Sequence, residues 1–226
     1  MKLTTPILPL VLHLRATGAQ PLACALGAHI IVARASTEKP GTGTIGIIAN
    51  RVANRIPGSD IVAVEYPATL GDYVESETAG VVEMRRLVVE YAAACPQGKI
   101  VLMGYSQGAH VSADVVCGNT EDGFPQSDPL SVDVSEKISA IVMMGDPSHS
   151  SSAAFNRGTS IKDGLFPRQN NAGCAAVQSK MVSYCDTGDR FCDRGDDEGV
   201  HRQYIQIYGA EAVNFVVSKV NGLQEK

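Results

Sequence analysis

The chain predicts an α/β fold, a three-layer αβα sandwich around a central five-stranded parallel sheet, and three observations carry that expectation. Short apolar runs alternate with segments whose apolar residues recur at helical spacing, the pattern of parallel strands joined by crossover helices. One of those runs stops at a Gly-x-Ser-x-Gly turn, where a strand gives way to a helix. The length, 226 residues with 44% hydrophobic, is ample for one compact domain with a full core.

In chain order, HIIVARA (29–35) reads as the first strand. Thr44 to Ile56 follows as a helix with Ile45, Ile48, Val52 and Ile56 at helical spacing, and Pro57-Gly58 ends it. IVAVEYP (61–67) is the second strand. The clearest helix comes next: Val81, Met84, Val88, Tyr91 and Cys95 lie on one face, a stripe that means core packing against the sheet. Pro96 and Gly98 stop it before the third strand starts at Lys99, and Ala109 to Val116 continues past the turn as a helix. KISAIVMMG (137–145) and KMVSYCD (180–186) are the fourth and fifth strands, and Ala212, Phe215, Val216 and Val220 mark a closing helix. Residues 118–136 and 147–179 carry little periodicity. The second is long for a structureless connection, and Cys174 offers a pin.

The formal charge is −5 with no basic block, which argues against a nucleic-acid partner. Residues 1–19 read as a signal peptide: a lysine, an apolar stretch from Pro6 to Leu12 and small residues near Ala19, with His13 and Arg15 out of place. The alternative is a disordered or membrane-peripheral tail. The stretch is too short to span a bilayer, so no stable membrane insertion is expected. Residues 20–226 read as a single catalytic domain. Six cysteines, Cys24, Cys95, Cys117, Cys174, Cys185 and Cys192, are an even set without zinc spacing, which suits three disulfides in an oxidising compartment and secretion. No metal or organic cofactor is expected. A monomer is the default, because no extended apolar seam is left over.

The chemistry centres on Gly104-Tyr105-Ser106-Gln107-Gly108. A serine hydroxyl is a poor nucleophile unless it is held out toward a base, and a strand–sharp turn–helix elbow does that. Ser106 is therefore the candidate nucleophile, against the bland reading of a glycine-rich turn with an incidental serine. A base and an orienting acid should follow in the chain, at strand ends. His201, after the fifth strand, and Asp189, between Cys185 and Cys192, are the favoured pair. If those two cysteines pair, the closed loop would hold the carboxylate where it can fix the histidine tautomer. Asp186 and Asp193 compete locally with Asp189. Asp146 with His149 is the rival pair, but its members stand too close together to approach the serine from separate strand ends. Asp146 is expected to anchor a turn with Pro147, and His110 to point away from Ser106.

With these residues in place, the chain resembles the cutinase and acetylxylan esterase family, the family 5 carbohydrate esterases, over about residues 24 to 220. The resemblance rests on Cys24, ARASTEKPG (33–41), Cys95-Pro96, GYSQG (104–108), MGDP (144–147), CDTGDRFC (185–192) and His201 in order. It implies a cutinase-like α/β-hydrolase fold and the triad Ser106, Asp189 and His201. It also implies an oxyanion hole from the main-chain N–H groups of Gln107 and Ser36, with the Ser36 hydroxyl helping. From sequence alone Ser36 is only a polar residue in a turn. The family pattern further implies the pairs Cys24–Cys95 and Cys185–Cys192, which leaves Cys117–Cys174.

The substrate class follows less directly. Cutinases resemble one another in an apolar segment before the histidine, whereas here that stretch is DRGDDEGV (193–200). A carboxylate-rich rim is a poor dock for a long acyl chain, because approach desolvates charges without pairing them. The expectation is an esterase that deacetylates acetylated xylan or a similar polysaccharide, with cutin-type esters as the alternative. Against it stand a cutinase-like segment at 68–80, the absence of tryptophan and the want of a sugar-stacking platform. A non-catalytic binding protein on a hydrolase scaffold is the reading from a different class. A glycosidase is weaker still, since no carboxylate pair stands out.

Overall fold

The computed structural model describes residues 23–222, so the segment read as a signal peptide (1–19) lies outside the described residues. The architecture is a parallel sheet with helices on both faces. Strands β1 (His29–Ala33), β2 (Asp60–Ala63), β3 (Ile100–Tyr105), β4 (Ile138–Met144), β5 (Asn156–Arg157) and β6 (Met181–Tyr184) stand in the order β2-β1-β3-β4-β6-β5. The sheet has six strands rather than the five expected. The extra one, β5, is a two-residue edge strand of polar residues inside the 147–179 connection, where no periodicity could mark it. It is held by the N–H groups of Ser183 and Cys185, which donate to Phe155 and Arg157 carbonyls at 3.0 Å.

Alternation of side chains along each strand divides the core in two. Ile31, Ala33, Leu102, Ile141 and Met143 face α2 (Tyr73–Ala94) and α3 (Gln107–Cys117). Ile30, Val32, Val101, Met103, Val142 and Met144 face α1 (Gly46–Arg55) and α6 (Tyr204–Val220). The stripe Val81, Met84, Val88, Tyr91 and Cys95 is buried against the first of these layers, as its spacing requires. Each fully buried aliphatic side chain of this size contributes about 1.5–3 kcal/mol relative to exposure. Two single-turn helices, α4 (Val132–Ser135) and α5 (Glu198–His201), and two 3₁₀ turns (Ala172–Cys174 and Gln178–Lys180) complete the regular structure of the described residues.

Strand order positions the site. The chain enters at β1, moves outward to β2, then returns past β1 to β3. The connections that leave β1 and β3 therefore diverge to opposite faces of the sheet, and a crevice opens beyond their carboxyl ends. Ser36 follows β1 and Ser106 follows β3, so both stand at that opening.

The six cysteines are joined as Cys24–Cys95, Cys117–Cys174 and Cys185–Cys192. The second bond ties the 147–179 connection to the end of α3, and Arg168 from the same connection reaches Asp114 on that helix at 2.5 Å. No helix among the described residues is long and apolar enough to cross a membrane.

Candidate active site

Ser106 occupies the single residue between β3 and α3, at φ 54° and ψ −119°. A non-glycine residue in that region is strained and persists only when its surroundings over-determine it. Here both flanking glycines are sterically required. A Cβ on Gly104 would lie 2.0 Å from the Gly108 carbonyl oxygen, and one on Gly108 would lie 2.1 Å from the Ala33 carbonyl oxygen. The Ser106 N–H donates to the Met144 carbonyl at 2.8 Å, which fixes the turn to β4. The serine side chain lines a cleft of about 490 Å³ together with Ser36, Tyr73, Phe166, Phe191 and His201.

His201 ends α5, whose start is capped by Asp197 accepting from the N–H groups of Gly199 and Val200. Its Nδ1 is 2.8 Å from Asp189 Oδ2. Asp189 is fully buried in the loop closed by Cys185–Cys192, and its Oδ1 accepts from the N–H groups of Phe191 (2.7 Å) and Cys192 (3.0 Å). Burial by itself would raise the Asp189 carboxyl. The hydrogen bond and charge of His201, with the donors from Cys192 and Tyr204, hold it below the ordinary carboxylate value instead. The acid is thereby kept ionised beside the imidazole. Of the pairs weighed from sequence, Asp189–His201 is the one that comes together at the cleft.

Ser36 lines the cleft, and Gln107 follows Ser106 as the first residue of α3. The Ser36 hydroxyl is buried, lines the cleft and has no hydrogen-bond partner among the described residues. Its loop is braced by Glu38, whose carboxylate accepts from Ala35 N–H (2.7 Å) and Thr44 N–H (2.8 Å). Arg34 adds a second brace, donating to the Tyr66 carbonyl while the Tyr66 hydroxyl donates to the Arg34 carbonyl. Gln107 opens α3, so its N–H is one of the helix-terminal donors left without an intrahelical partner. Its side chain is pinned from behind by Ser76 and by the Thr69 carbonyl, both at 3.1 Å.

The remaining candidates serve elsewhere. Asp146 accepts from the N–H and hydroxyl of Ser148 at 2.8 Å and so anchors its turn, as expected. His149 is buried beside it with neither ring nitrogen partnered among the described residues, and burial pushes it below the ordinary histidine value. Asp186 accepts from Thr159 and from the Tyr208 hydroxyl. Asp193 accepts from Ser160 and the Gly188 N–H. His110 lies on α3 against Tyr73, Phe124 and Phe166, with Nδ1 3.2 Å from the Tyr73 hydroxyl.

Sequence reasoning missed several residues that shape the site. The Tyr105 hydroxyl donates to the His201 carbonyl, and Tyr204 donates to Asp189 Oδ2 at 2.7 Å. Gly145 has φ +63°, and a Cβ there would lie 2.6 Å from His201 Cε1, so the histidine ring rests on bare backbone. A usable signal existed, since Gly145 is the glycine of the Met-Gly-Asp-Pro motif. The DRGDDEGV stretch also differs from its expected role. Asp193 is buried and bonded and Asp197 caps α5, so within the stretch only Glu198 lines the cleft. Glu198 is itself paired with Arg190 at 2.6 Å and Arg202 at 3.1 Å. The cleft wall is instead largely apolar, with Leu70, Pro147, Leu165, Phe166 and Phe191.

A second polar cluster lies between α2 and α3. Donor atoms of Glu77, His110 and Asp114 stand within 4.8 Å of one another, all fully buried. The Arg168 guanidinium already supplies a cation there, 2.5 Å from Asp114 and 2.9 Å from Glu121. Burial, then the Arg168 charge, pushes His110 well below its ordinary value.

The parallel sheet, the serine on its strained elbow and the cleft at the strand ends define an α/β-hydrolase. The cutinase family model matches residues 24–220, and the chain belongs to that family. It is 32% identical over 203 residues to cutinase 11 of Verticillium dahliae, covering 85% of this chain and 68% of that one. It is likewise 32% identical over 202 residues to acetylxylan esterase 2 of Talaromyces purpureogenus, covering 85% and 86%. A solved acetylxylan esterase structure superposes with a TM-score of 0.83 at 31% identity, covering 88% of this chain and all (100%) of that one. The chain is thus a serine carboxylic ester hydrolase.

Proposed function

We propose that this esterase is secreted and monomeric and removes acetyl groups from acetylated xylan or a similar plant polysaccharide through an acyl-enzyme on Ser106. The observation that carries the catalytic part is the 2.8 Å contact of His201 Nδ1 with Asp189, beside a cleft that Ser106 also lines. In this reading Nδ1 keeps its proton for Asp189, so Nε2 is free to take the Ser106 proton as the oxygen attacks the ester carbonyl. The N–H groups of Gln107 and Ser36, with the unpartnered Ser36 hydroxyl, receive the developing oxyanion, each such donor contributing about 3–4 kcal/mol to barrier lowering. His201 then protonates the departing sugar oxygen. Water, deprotonated by the same ring, releases acetate and restores Ser106. Secretion is supported by three disulfides.

For the substrate, support comes from the acetylxylan esterase relatives that match across most of both chains. A second reading, hydrolysis of cutin-type or other longer acyl esters, is favoured by the apolar wall, where Leu70 and Leu165 are 56% and 41% exposed. Initial rates on p-nitrophenyl esters from acetyl to palmitoyl, and acetate release from acetylated xylan, separate the two. A steep fall beyond propionyl with acetate release supports the acetyl reading. A maximum at butyryl or longer without acetate release replaces it with the cutin-type reading. Failure of an organophosphonate to label Ser106 would sink the catalytic assignment itself.

A further inference from the structure

We propose that Tyr204 is a positioning residue of this site: its hydroxyl, oriented by the Asp186 N–H, donates to Asp189 Oδ2 and so fixes which carboxylate oxygen faces His201. The proposal rests on the reading of Ser106, His201 and Asp189 as the triad. Tyr204 opens α6 three residues after His201 and is fully buried. The Asp186 N–H donates to its oxygen at 2.9 Å, and its own O–H reaches Asp189 Oδ2 at 2.7 Å. The direction of this relay is forced. A peptide nitrogen can only donate, and a phenol has one proton to pass on. The other neighbour, Cys192 Sγ at 3.3 Å, is a disulfide sulfur and far poorer as an acceptor than a carboxylate. Burial raises the Tyr204 hydroxyl further above its ordinary value, so it remains a donor.

Asp189 then has four donors for two oxygens: Phe191 and Cys192 N–H on Oδ1, and Tyr204 and His201 on Oδ2. Without the phenol, Oδ2 is left with His201 alone. Asp189 is fully buried, so bulk water does not replace the missing donor. The carboxylate turns more freely about its last torsion, and more of its negative charge rests on the imidazole. Loss of orientation lowers kcat, while the added charge strengthens the hold of His201 on its proton.

Among the described residues, the Phe191 ring also packs against His201, its centroid 4.5 Å away. The Tyr105 ring packs edge-on against it at 5.6 Å. Glu198 and Arg202 flank it on its own turn of chain, and Glu38 lies across the cleft, each with a hydrogen-bond or ion partner of its own. Asp193 is bonded to Ser160 and to the Gly188 N–H of the same loop, and His149 is near enough for its charge to be felt by Asp193 and Asp189. None of these touches Asp189 Oδ2.

The test is the pH profile of kcat/KM for Tyr204→Phe, with p-nitrophenyl acetate as the probe, alone and in the Asp189→Asn background. The expected result is a fall in kcat of about tenfold at little-changed KM, with the acid limb moved up by about half a pH unit. In the Asp189→Asn background the same change should cost nothing further, because its only route to the chemistry has gone. Site-specific 3-fluorotyrosine at position 204 keeps the fold and strengthens the donor, so it should move the acid limb down. A folded Tyr204→Phe enzyme with wild-type kcat and pH profile overturns the proposal, as does an equal loss in the Asp189→Asn background. Should Tyr204→Phe not fold, the fluorotyrosine enzyme decides, an unmoved limb overturning the proposal and a lowered one supporting it. Full turnover by Ser106→Ala and Asp189→Asn would instead overturn the triad reading, and this proposal with it.

Discussion

Asp189 and Asp114 are both fully buried, both lie within a few residues of a disulfide cysteine, and both meet a basic side chain. They end in opposite states. Asp189 is held below the ordinary carboxylate value, while Asp114 is pushed well above it. For Asp114 burial is the main cause. Arg168 offsets part of it, but it is shared with Glu121, and the Glu77 and Glu121 charges add to the rise. Asp189 has a basic partner and three further donors, with no second carboxylate in hydrogen-bond contact. Burial alone therefore decides nothing about a carboxylate; the donors and acids around it do. Access separates the pair as well. The partner of Asp189 reaches the cleft, whereas Asp114 and its neighbours Glu77, His110 and Glu121 are fully buried and do not line it.

The largest expected effect is on turnover. Asp189→Asn should lower kcat about 10⁴-fold by stabilising the wrong histidine tautomer. Arg168→Met should leave the kcat of the folded enzyme near wild type while costing about 3–5 kcal/mol of stability, since it strands buried acids. Steady-state rates and urea melts on both variants test this, and similar losses of kcat would show that the two carboxylates do not differ in role.

The disulfides sharpen it. Replacing Cys117 and Cys174 by serine opens the longer loop and should cost about 4 kcal/mol, against about 2.5 kcal/mol for Cys185 and Cys192. Turnover should follow the reverse order, because the smaller loop holds Asp189. If the 117–174 variant lost more activity per folded molecule, the assignment of roles would be reversed.

The smallest effect is the pH dependence of stability, and its sign differs between the regions. Burial and then the Glu121 charge push Glu77 up from 4.5 to about 8. Between those values the folded state holds a proton that the unfolded chain releases, so this group's contribution falls as pH rises through the window. Asp189 runs the other way: its folded value is lowered, so its contribution is present above the ordinary 3.8 and lost as pH falls below it. Glu77→Gln should therefore flatten the decline in urea midpoint between pH of about 5 and about 8. A wild-type midpoint that rises steadily over that window would show that Glu77 is ionised throughout.

Ser106 and the layers around it were legible in the sequence because their determinants are local. Gly104 is required by the approach of Gly108 four residues on, and the helix stripe from Val81 to Cys95 is a matter of period. Gly108 answers to the distant Ala33 carbonyl and was legible only as part of the Gly-x-Ser-x-Gly string. The family resemblance pointed to Ser36, which lies at the cleft although nothing in its own neighbourhood marks it. The Arg168–Asp114 contact was not legible, since it joins residues 54 positions apart, and the Tyr105–His201 contact spans 96. Two-residue β5 exists only because β6 offers it an edge.

The sequence by itself determined the alternation of strands and helices, the elbow and the family, because hydrophobic period acts over a few residues and the elbow and family motifs are short strings of chain. Only the tertiary structure decided that Asp193 and Asp197 are spent on loop bonds and a helix cap, that the cleft wall is largely apolar, and that a second acid cluster lies buried between α2 and α3. Charge and burial depend on which distant groups a side chain meets, and the chain states that only once it has folded.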